Sequence, residues 1–230
     1  MAVQPYSLAI ELSQQDACVA AVNSNGTIFS DCFLARNRES DNVMPAIDGV
    51  LSEAQFAPQE LQMIAIAIGP GSFTGLRIAC SIAKMISFAS NASIVSVENA
   101  VVASIDSGIK TGILNIISSV KQDTFWLSET QIKSGIWHVK ESLLSVDSFL
   151  SKASRPSAVL CDRHLPREVE HYLVENKIPI HGSKLNIESL LIEATARFNR
   201  RVTVSPEELR PIYPREPEAV RKWNTSKNVP

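Results

Sequence analysis

Residues 69–79 are GPGSFTGLRIA, and this glycine-rich segment joins two apolar stretches. The stretch before it, residues 62–68, is apolar after its first residue, which is typical of a strand buried on both faces. The stretch after it predicts a helix over residues 73–90, which Ser72 or Thr74 can cap at its N-terminus. Backbone amides at a helix N-terminus can hold an anion, so this junction is the first candidate for a functional site.

The glycine pattern matches none of the common nucleotide or nucleophile motifs. A phosphate-binding P-loop needs a Lys directly after its last glycine, whereas Leu76 follows Gly75. The spacing G-x-G-x-x-x-G misses the dinucleotide fingerprint by one residue, and a G-x-S-x-G nucleophile elbow is absent. A tight turn that lets the helix pack closely on the sheet is therefore favoured over catalysis. The candidate contacts for an anion or nucleotide are Gly69, Gly71, Ser72, Thr74, Gly75 and, from the first predicted strand, Glu11.

The elements around this junction predict an α/β fold. Three β-prone segments predict antiparallel strands, over 6–12, 17–22 and 27–34. Asn25-Gly26 suits a type I′ hairpin turn between the last two of them. A helix is predicted over 41–54 and a further strand over 93–97. This order resembles the first lobe of the actin/Hsp70/sugar-kinase (ASKHA) superfamily.

The second half of the chain predicts a smaller lobe. An antiparallel meander is expected over 112–118, 123–129 and 135–140. Helices over 146–151 and 165–175 flank a strand over 158–161, and a strongly amphipathic helix covers 186–200. We therefore predict a first lobe over 1–102, a reduced second lobe over 103–215, whose C-terminal helix can return to the first lobe, and a flexible tail over 216–230.

Composition excludes several classes of protein. The chain has 230 residues, of which 45% are hydrophobic, and a formal net charge of -2. A disordered chain is excluded, and the charge argues against binding nucleic acid alone, though not beside a subunit that holds it. The four cysteines are scattered and lack a CxxC pair, so we expect reduced, mostly buried thiols in a cytosolic protein. The start carries no signal-peptide pattern, and no apolar run is long enough for a membrane helix.

The four histidines show no metal-site spacing. They are His138, His164, His171 and His181, and no pair lies four residues apart on a predicted helix. We therefore expect no metal site in this chain and assign no catalytic residue.

The helix over 73–90 is apolar on nearly all sides, with Arg77 and Lys84 as its only charged residues. Such a helix is expected to be buried nearly all round. One side covers the sheet, and the other either meets a partner or is enclosed within the same chain. Because the helix over 41–54 also has few charges, we favour a partner. The predicted partner surface comprises Val43, Ile47, Val50, Leu51, Arg77, Ile78, Ile82 and Met85.

The segment 69–79 closely resembles the signature of the TsaB (YeaZ) family, a subunit of the bacterial machinery that makes threonylcarbamoyladenosine in tRNA. Residues 8–13 (LAIELS) and 17–20 (ACVA) resemble the family's opening, LAIDTS…CSVAL. Residues 43–47 (VMPAI) resemble its LLP-x-I helix, and residues 209–219 resemble its terminal P-x-Y-L-R-x-x-x-A. The resemblance thus extends along the whole chain.

The resemblance implies a bilobal ASKHA fold with a reduced second lobe and a non-catalytic scaffold role. It implies pairing with the paralogue TsaD, which holds the ATP, the metal and the transfer chemistry, through the two first-lobe helices. It also implies a TsaE-like ATPase in the assembled complex, a homodimer of the isolated chain through the same surface, only indirect contact with tRNA, and no membrane. An independent ASKHA ATPase or small-molecule kinase, with Glu11 near Mg²⁺, is the alternative, and a peptidase is disfavoured.

Three positions depart from the family pattern. Glu11, followed by Leu12, stands where the superfamily has Asp followed by small residues, which disfavours close approach of a phosphate. Glu39 lies in a stretch where the family usually has a His, and Ser119 replaces an Asp of the second lobe. These departures place a nucleotide role in greater doubt here than in the family.

Overall fold

The computed structural model describes residues 4–34, 42–121, 124–152, 155–161 and 165–214, without the side chains of 119–121. Glu39, His164, the predicted tail 216–230 and the side chain of Ser119 lie outside this part of the chain. Within the described ranges, none of the helices has both the length and the apolar character needed to cross a bilayer.

The first sheet has five strands in the order β3-β2-β1-β4-β5. The three N-terminal strands are antiparallel, whereas β1, β4 and β5 are parallel. Their bounds are β1 Ser7–Glu11, β2 Asp16–Val22, β3 Ile28–Leu34, β4 Met63–Ala67 and β5 Ser93–Val97. Every residue of β4 is buried, because successive side chains enter two different cores on opposite faces of the sheet. This explains the continuous apolar run that precedes the glycine-rich segment.

Helices cover both faces of this sheet. On one face lie α1, Val43–Ala54, and α2, Phe73–Ser90. On the other face lies the amphipathic helix α6, Ile187–Asn199, together with α3, Asn99–Asp106. The C-terminal helix α6 therefore packs on the first sheet, and α3 runs across the predicted lobe boundary at residues 102 and 103.

The second sheet also has five strands, in the order β10-β9-β6-β7-β8. Their bounds are β6 Leu114–Lys121, β7 Thr124–Lys133, β8 Ile136–Ser145, β9 Ala158–Cys161 and β10 Ile180–Gly182. The first three form the predicted antiparallel meander, and β9 pairs in parallel with β6. Its outer face packs against α4, Val146–Leu150, and α5, Arg167–Glu175, while α3 covers part of its inner face.

The hairpin between β2 and β3 differs from the predicted type I′ turn. Gly26 alone in this loop has a positive φ, of 80°, and its N–H donates to the carbonyl oxygen of Asn23. The side-chain oxygen of Asn23 accepts from the N–H groups of Asn25 and Thr27. These bonds stabilise a type I turn followed by a left-handed glycine, so the turn prediction is wrong.

The expectation that all four cysteines are reduced is also wrong. Cys18 on β2 and Cys32 on β3 form a disulfide, and their Cα atoms lie 4.2 Å apart. The two residues stand directly opposite each other in the antiparallel pair. Sequence spacing does not disclose this register, which brings the two sulfurs together. Cys80 and Cys161 are both buried, as expected.

Candidate functional site

The glycine-rich loop packs directly on the turn between β1 and β2. A side chain at Gly75 would overlap the carbonyl oxygen of Leu12, and a β-carbon at Gly71 would lie 2.6 Å from the carbonyl oxygen of Ser13. The N–H of Ser72 donates to that same Ser13 carbonyl at 2.7 Å. The backbone of this chain thus occupies the space that a side chain at Gly71 or Gly75 would need. Close packing therefore accounts for the presence of glycine at both positions.

Gly69 serves a different contact. Its φ is 107°, a conformation that favours glycine, and a β-carbon there would lie 2.8 Å from the carbonyl oxygen of Ile212. The N–H of Ile212 donates to the carbonyl oxygen of Ile68 at 2.7 Å. The segment that carries the terminal family-like motif is therefore attached to the start of the glycine-rich loop.

Asn99, the first residue of α3, connects the loop to the β1–β2 turn. Its side-chain oxygen accepts from the N–H of Gly69 at 2.9 Å. Its amide nitrogen donates to the Ser13 hydroxyl at 2.7 Å and to the carbonyl oxygen of Pro70 at 2.8 Å. Asn99 is buried, and sequence reasoning missed it because a single Asn after a strand carries no motif. It joins three segments that are distant in the chain.

Glu11 lies at the centre of this network and is completely buried. Its Oε1 accepts from the N–H of Ser13 at 2.7 Å and from the Ser13 hydroxyl. Its Oε2 has no hydrogen-bond partner among the described residues. Burial raises the pKa of Glu11 to about 7, against the opposing effect of the two bonds from Ser13. The carboxyl therefore changes its charge near neutral pH inside the protein.

The N-terminus of α2 is capped by Ser72, as predicted. The Ser72 side chain accepts from the N–H of Gly75 at 3.2 Å, while Thr74 is exposed in the first turn. Two amides of the loop, those of Gly69 and Ser72, are committed to Asn99 and Ser13. The proposed anion contact of this loop remains a prediction. Among the described residues, no group of three or more His, Cys, Asp or Glu side chains could hold a metal ion.

One side of α2 is exposed and apolar, and we call it the α2 outer face. It comprises Arg77, Ser81, Met85 and Phe88, with Ile78 and Ile82 half-buried at its edge. The side chains of Met85 and Phe88 are 71% and 66% exposed. The predicted contacts Arg77, Ile78, Ile82 and Met85 therefore lie on or beside a surface that another chain can reach.

The predicted contacts on α1 are placed differently. Val43, Ile47, Val50 and Leu51 are each 5% exposed or less, because their stripe faces the first sheet. Their assignment to a partner surface is wrong, since they are already buried by their own chain. The exposed residues of α1 are Met44, Pro45, Asp48, Gly49, Ser52 and Glu53. A β-carbon at Gly49 would have no atom within 4 Å, so another helix could approach α1 closely there.

An aromatic cluster extends the α2 outer face at its N-terminal end. The rings of Phe73 and Tyr213 lie with their centroids 4.7 Å apart, and the guanidinium carbon of Arg77 lies 4.8 Å from the Phe73 centroid. Phe73 is 44% exposed. Aromatic and Arg side chains of this kind are typical of the residues that dominate binding at protein interfaces.

Comparisons with known proteins identify relatives of this fold. A family model described as "TsaD: tRNA N6-adenosine threonylcarbamoyltransferase" matches residues 33–159, which is more than half of the chain. The tRNA threonylcarbamoyladenosine biosynthesis protein TsaB of Buchnera aphidicola is 30% identical over 142 residues, which cover 60% of this chain and 64% of that protein. TsaB of Escherichia coli is 23% identical over 138 residues, covering 59% of each. The matched part thus covers less than two thirds of either relative.

Solved structures share the fold. "YeaZ from Pseudomonas aeruginosa" has a TM-score of 0.71 and 19% identity, and the match covers 91% of this chain and 100% of that chain. A second structure, of an uncharacterized protein with similarity to peptidase YeaZ from Pseudomonas aeruginosa, has a TM-score of 0.72 and 20% identity, covering 92% of this chain and 100% of its own. The predicted α/β fold is confirmed, and it is the fold of these two structures.

Proposed function

Because the chain belongs to the TsaB/YeaZ family and a TsaD family model matches more than half of it, we propose that it takes part in forming threonylcarbamoyladenosine in tRNA. Its role is that of a non-catalytic subunit that binds and supports a TsaD-like catalytic paralogue. The paralogue supplies the ATP site, the metal and the transfer chemistry, and a TsaE-like ATPase joins the assembled complex.

The exposed apolar side of α2 is the single observation that carries this proposal. Met85 and Phe88 are long apolar side chains that remain 71% and 66% exposed in the isolated chain. Fully burying such a side chain contributes about 1.5–3 kcal/mol, so a partner that covers both gains a substantial part of its binding free energy there. Arg77 and Phe73 lie at one end of this face, where they can anchor the contact.

The same face suits a homodimer when the paralogue is absent. The α2 outer face carries little charge, since Arg77 and Lys84 are the only charged residues of the helix. Two copies related by a twofold axis would bring the same apolar residues together, as closed dimers require. We propose that the homodimer and the complex with the paralogue compete for this surface.

The packing around the glycine-rich loop supports a role without catalysis in this chain. Glu11 is 0% exposed, and its nearest polar contacts are to Ser13. Gly71 and Gly75 accommodate the backbone of the β1–β2 turn. Glu11 and the two glycines, which the alternative ATPase interpretation assigns to a nucleotide, thus contact the β1–β2 turn of this chain.

Reconstitution of the modification reaction tests the proposed function. Unmodified tRNA is incubated with the TsaD-like paralogue, the other required subunits, threonine, bicarbonate and ATP, with and without this chain. We expect modified nucleoside to form only when the chain is present, and the Met85→Asp/Phe88→Asp variant to fail to support it. The matched control is Ile192→Asp, because Ile192 is 61% exposed on α6, away from α2. Full activity without the chain would contradict the proposal.

A further inference from the structure

The outer face of the second sheet carries a groove of about 350 Å³ that is rich in cations. Its polar lining comes from the neighbouring strands β7 and β8 and from Lys152, the second residue after α4. We call it the cationic groove and define it by Glu129, Gln131, Lys133, His138, Lys140 and Lys152. In the strand register Lys140 stands opposite Glu129, and His138 stands opposite Gln131. Residues paired in this way share one face of the sheet, so their side chains line the same surface.

The positive charge of the groove is largely uncompensated. Glu129 is its only carboxylate, and the Lys152 ammonium lies 2.6 Å from that carboxylate. Lys133 and Lys140 are exposed and form no ion pair with any residue in the described ranges. The groove thus carries two free positive charges, although the whole chain has a net charge of -2.

The basic side chains of the groove form a row and do not converge on one point. Lys140 and His138 are two residues apart on β8, which separates them by roughly 7 Å along the strand. Lys133 stands opposite Ile136, a further two residues along, so the row from Lys140 to Lys133 is about 14 Å long. A compact anion such as a single phosphate could reach one or two of these groups. An extended chain of phosphates could reach all of them.

We propose that the cationic groove binds the phosphate backbone of RNA, and that this chain thereby helps to hold the tRNA in the assembled complex. This inference rests on the proposed function, and it replaces the expectation of only indirect contact with tRNA by a direct contact. With two or three phosphate contacts, the groove adds affinity to a larger RNA-binding surface and is not sufficient alone. Phosphate contacts of this kind position RNA without reading its sequence.

Salt-dependent binding of tRNA tests this inference. The complex of the full chain with the TsaD-like paralogue is titrated with unmodified, fluorescently labelled tRNA at several salt concentrations. For Lys133→Gln/Lys140→Gln we expect about tenfold weaker binding and a slope of log K against log salt that is smaller by about 1.4. The control is Lys177→Gln/Lys184→Gln, which removes two exposed lysines outside the groove.

The possible results distinguish a failure of the groove proposal from a failure of the proposed function. Capture of the paralogue is measured for every variant, because a wild-type chain that fails to capture it contradicts the proposed function, whereas a groove variant that captures it normally isolates the effect on tRNA. Unchanged affinity and slope in the groove variant, or an equal loss in both double variants, overturn the proposal. So does a groove variant that loses binding to polyglutamate but keeps tRNA, because the groove would then serve an acidic protein.

Discussion

The side-chain amide of Asn99 donates to the hydroxyl of Ser13 at 2.7 Å, although 86 residues separate the two in sequence. Ser13 in turn donates to the carboxylate of Glu11, so one chain of hydrogen bonds joins α3 to the β1–β2 turn. The same Asn99 side chain binds Gly69 and Pro70. The glycine-rich loop, and with it the N-terminal end of the α2 outer face, is held in place by this buried network.

Replacing Asn99 with alanine tests the importance of the network. The substitution leaves the buried N–H of Gly69 and the carbonyl oxygen of Pro70 without their partner. Each unsatisfied buried group costs about 1–3 kcal/mol, so we expect Asn99→Ala to lower the free energy of unfolding by about 3 kcal/mol. Urea denaturation measures this change. Asn176→Ala, which removes one bond from a half-buried side chain to Tyr172, serves as the control. If Asn99→Ala lowers the free energy of unfolding by less than about 0.5 kcal/mol, the hydrogen bonds of Asn99 do not contribute about 1 kcal/mol each, and the stabilising role of the network is contradicted.

Glu11 makes stability depend on pH. Its pKa is about 7 in the folded chain, above its ordinary value of 4.5, so the folded state binds more protons than the unfolded state between these values. The free energy of unfolding is therefore expected to fall as pH rises from 4.5 to 7, by about 3 kcal/mol. Glu11→Gln removes this dependence, and the exposed Glu53→Gln leaves it unchanged. Parallel pH profiles for wild type and Glu11→Gln would contradict the raised pKa.

Alanine substitutions at two helical glycines are expected to change the stability of the chain in opposite directions. A side chain at Gly75 would overlap the Leu12 carbonyl oxygen, whereas a β-carbon at Gly49 meets no atom within 4 Å. We expect Gly75→Ala to destabilise the chain by about 1–3 kcal/mol, since the loop must move away from the turn. Gly49→Ala is expected to stabilise it by up to about 1 kcal/mol through helix propensity. Thermal unfolding of the two variants measures both, and similar shifts in the same direction would contradict the packing explanation of Gly75.

The disulfide between Cys18 and Cys32 predicts a measurable thiol count. Because Cys18 and Cys32 are in this bond, neither should react with a thiol reagent in the denatured, unreduced chain. A 14-residue separation makes such a bond worth about 3 kcal/mol in the loop-entropy estimate. Reduction is therefore expected to lower the melting temperature of wild type but not of Cys32→Ser. Four reactive thiols before reduction would rule the bond out.

Local patterns predicted most of the elements but not what covers them. The strands Ser93–Val97 and Ala158–Cys161 and the helix Phe73–Ser90 agree with their predicted bounds, because turn residues and clear periodicity delimit them. Helix α3 was missed because six of its eight residues are buried, so it shows no amphipathic period. The stripe on α1 was recognised as apolar, but periodicity alone does not show whether a sheet or a partner buries it.

The candidate site was predicted in part for similar reasons. The glycine-rich loop and its Ser72 cap follow from local sequence. Asn99, Tyr213 and the register of Cys18 with Cys32 are set by contacts between distant segments, and no local pattern encodes them. The position of α2 on the sheet determines that Met85 and Phe88 are exposed while other apolar residues of the helix are buried, and the sequence alone does not show this position.

The dissociation constant of the complex with the TsaD-like paralogue tests the central claim most directly. It is measured for wild type, Met85→Asp/Phe88→Asp and Ile192→Asp, each shown to be folded by circular dichroism. We predict that the double substitution weakens binding roughly a hundredfold or more, because two apolar contacts are lost, while Ile192→Asp stays within about twofold of wild type. Binding by the double variant within about threefold of wild type would contradict the assignment of the α2 outer face as the partner surface.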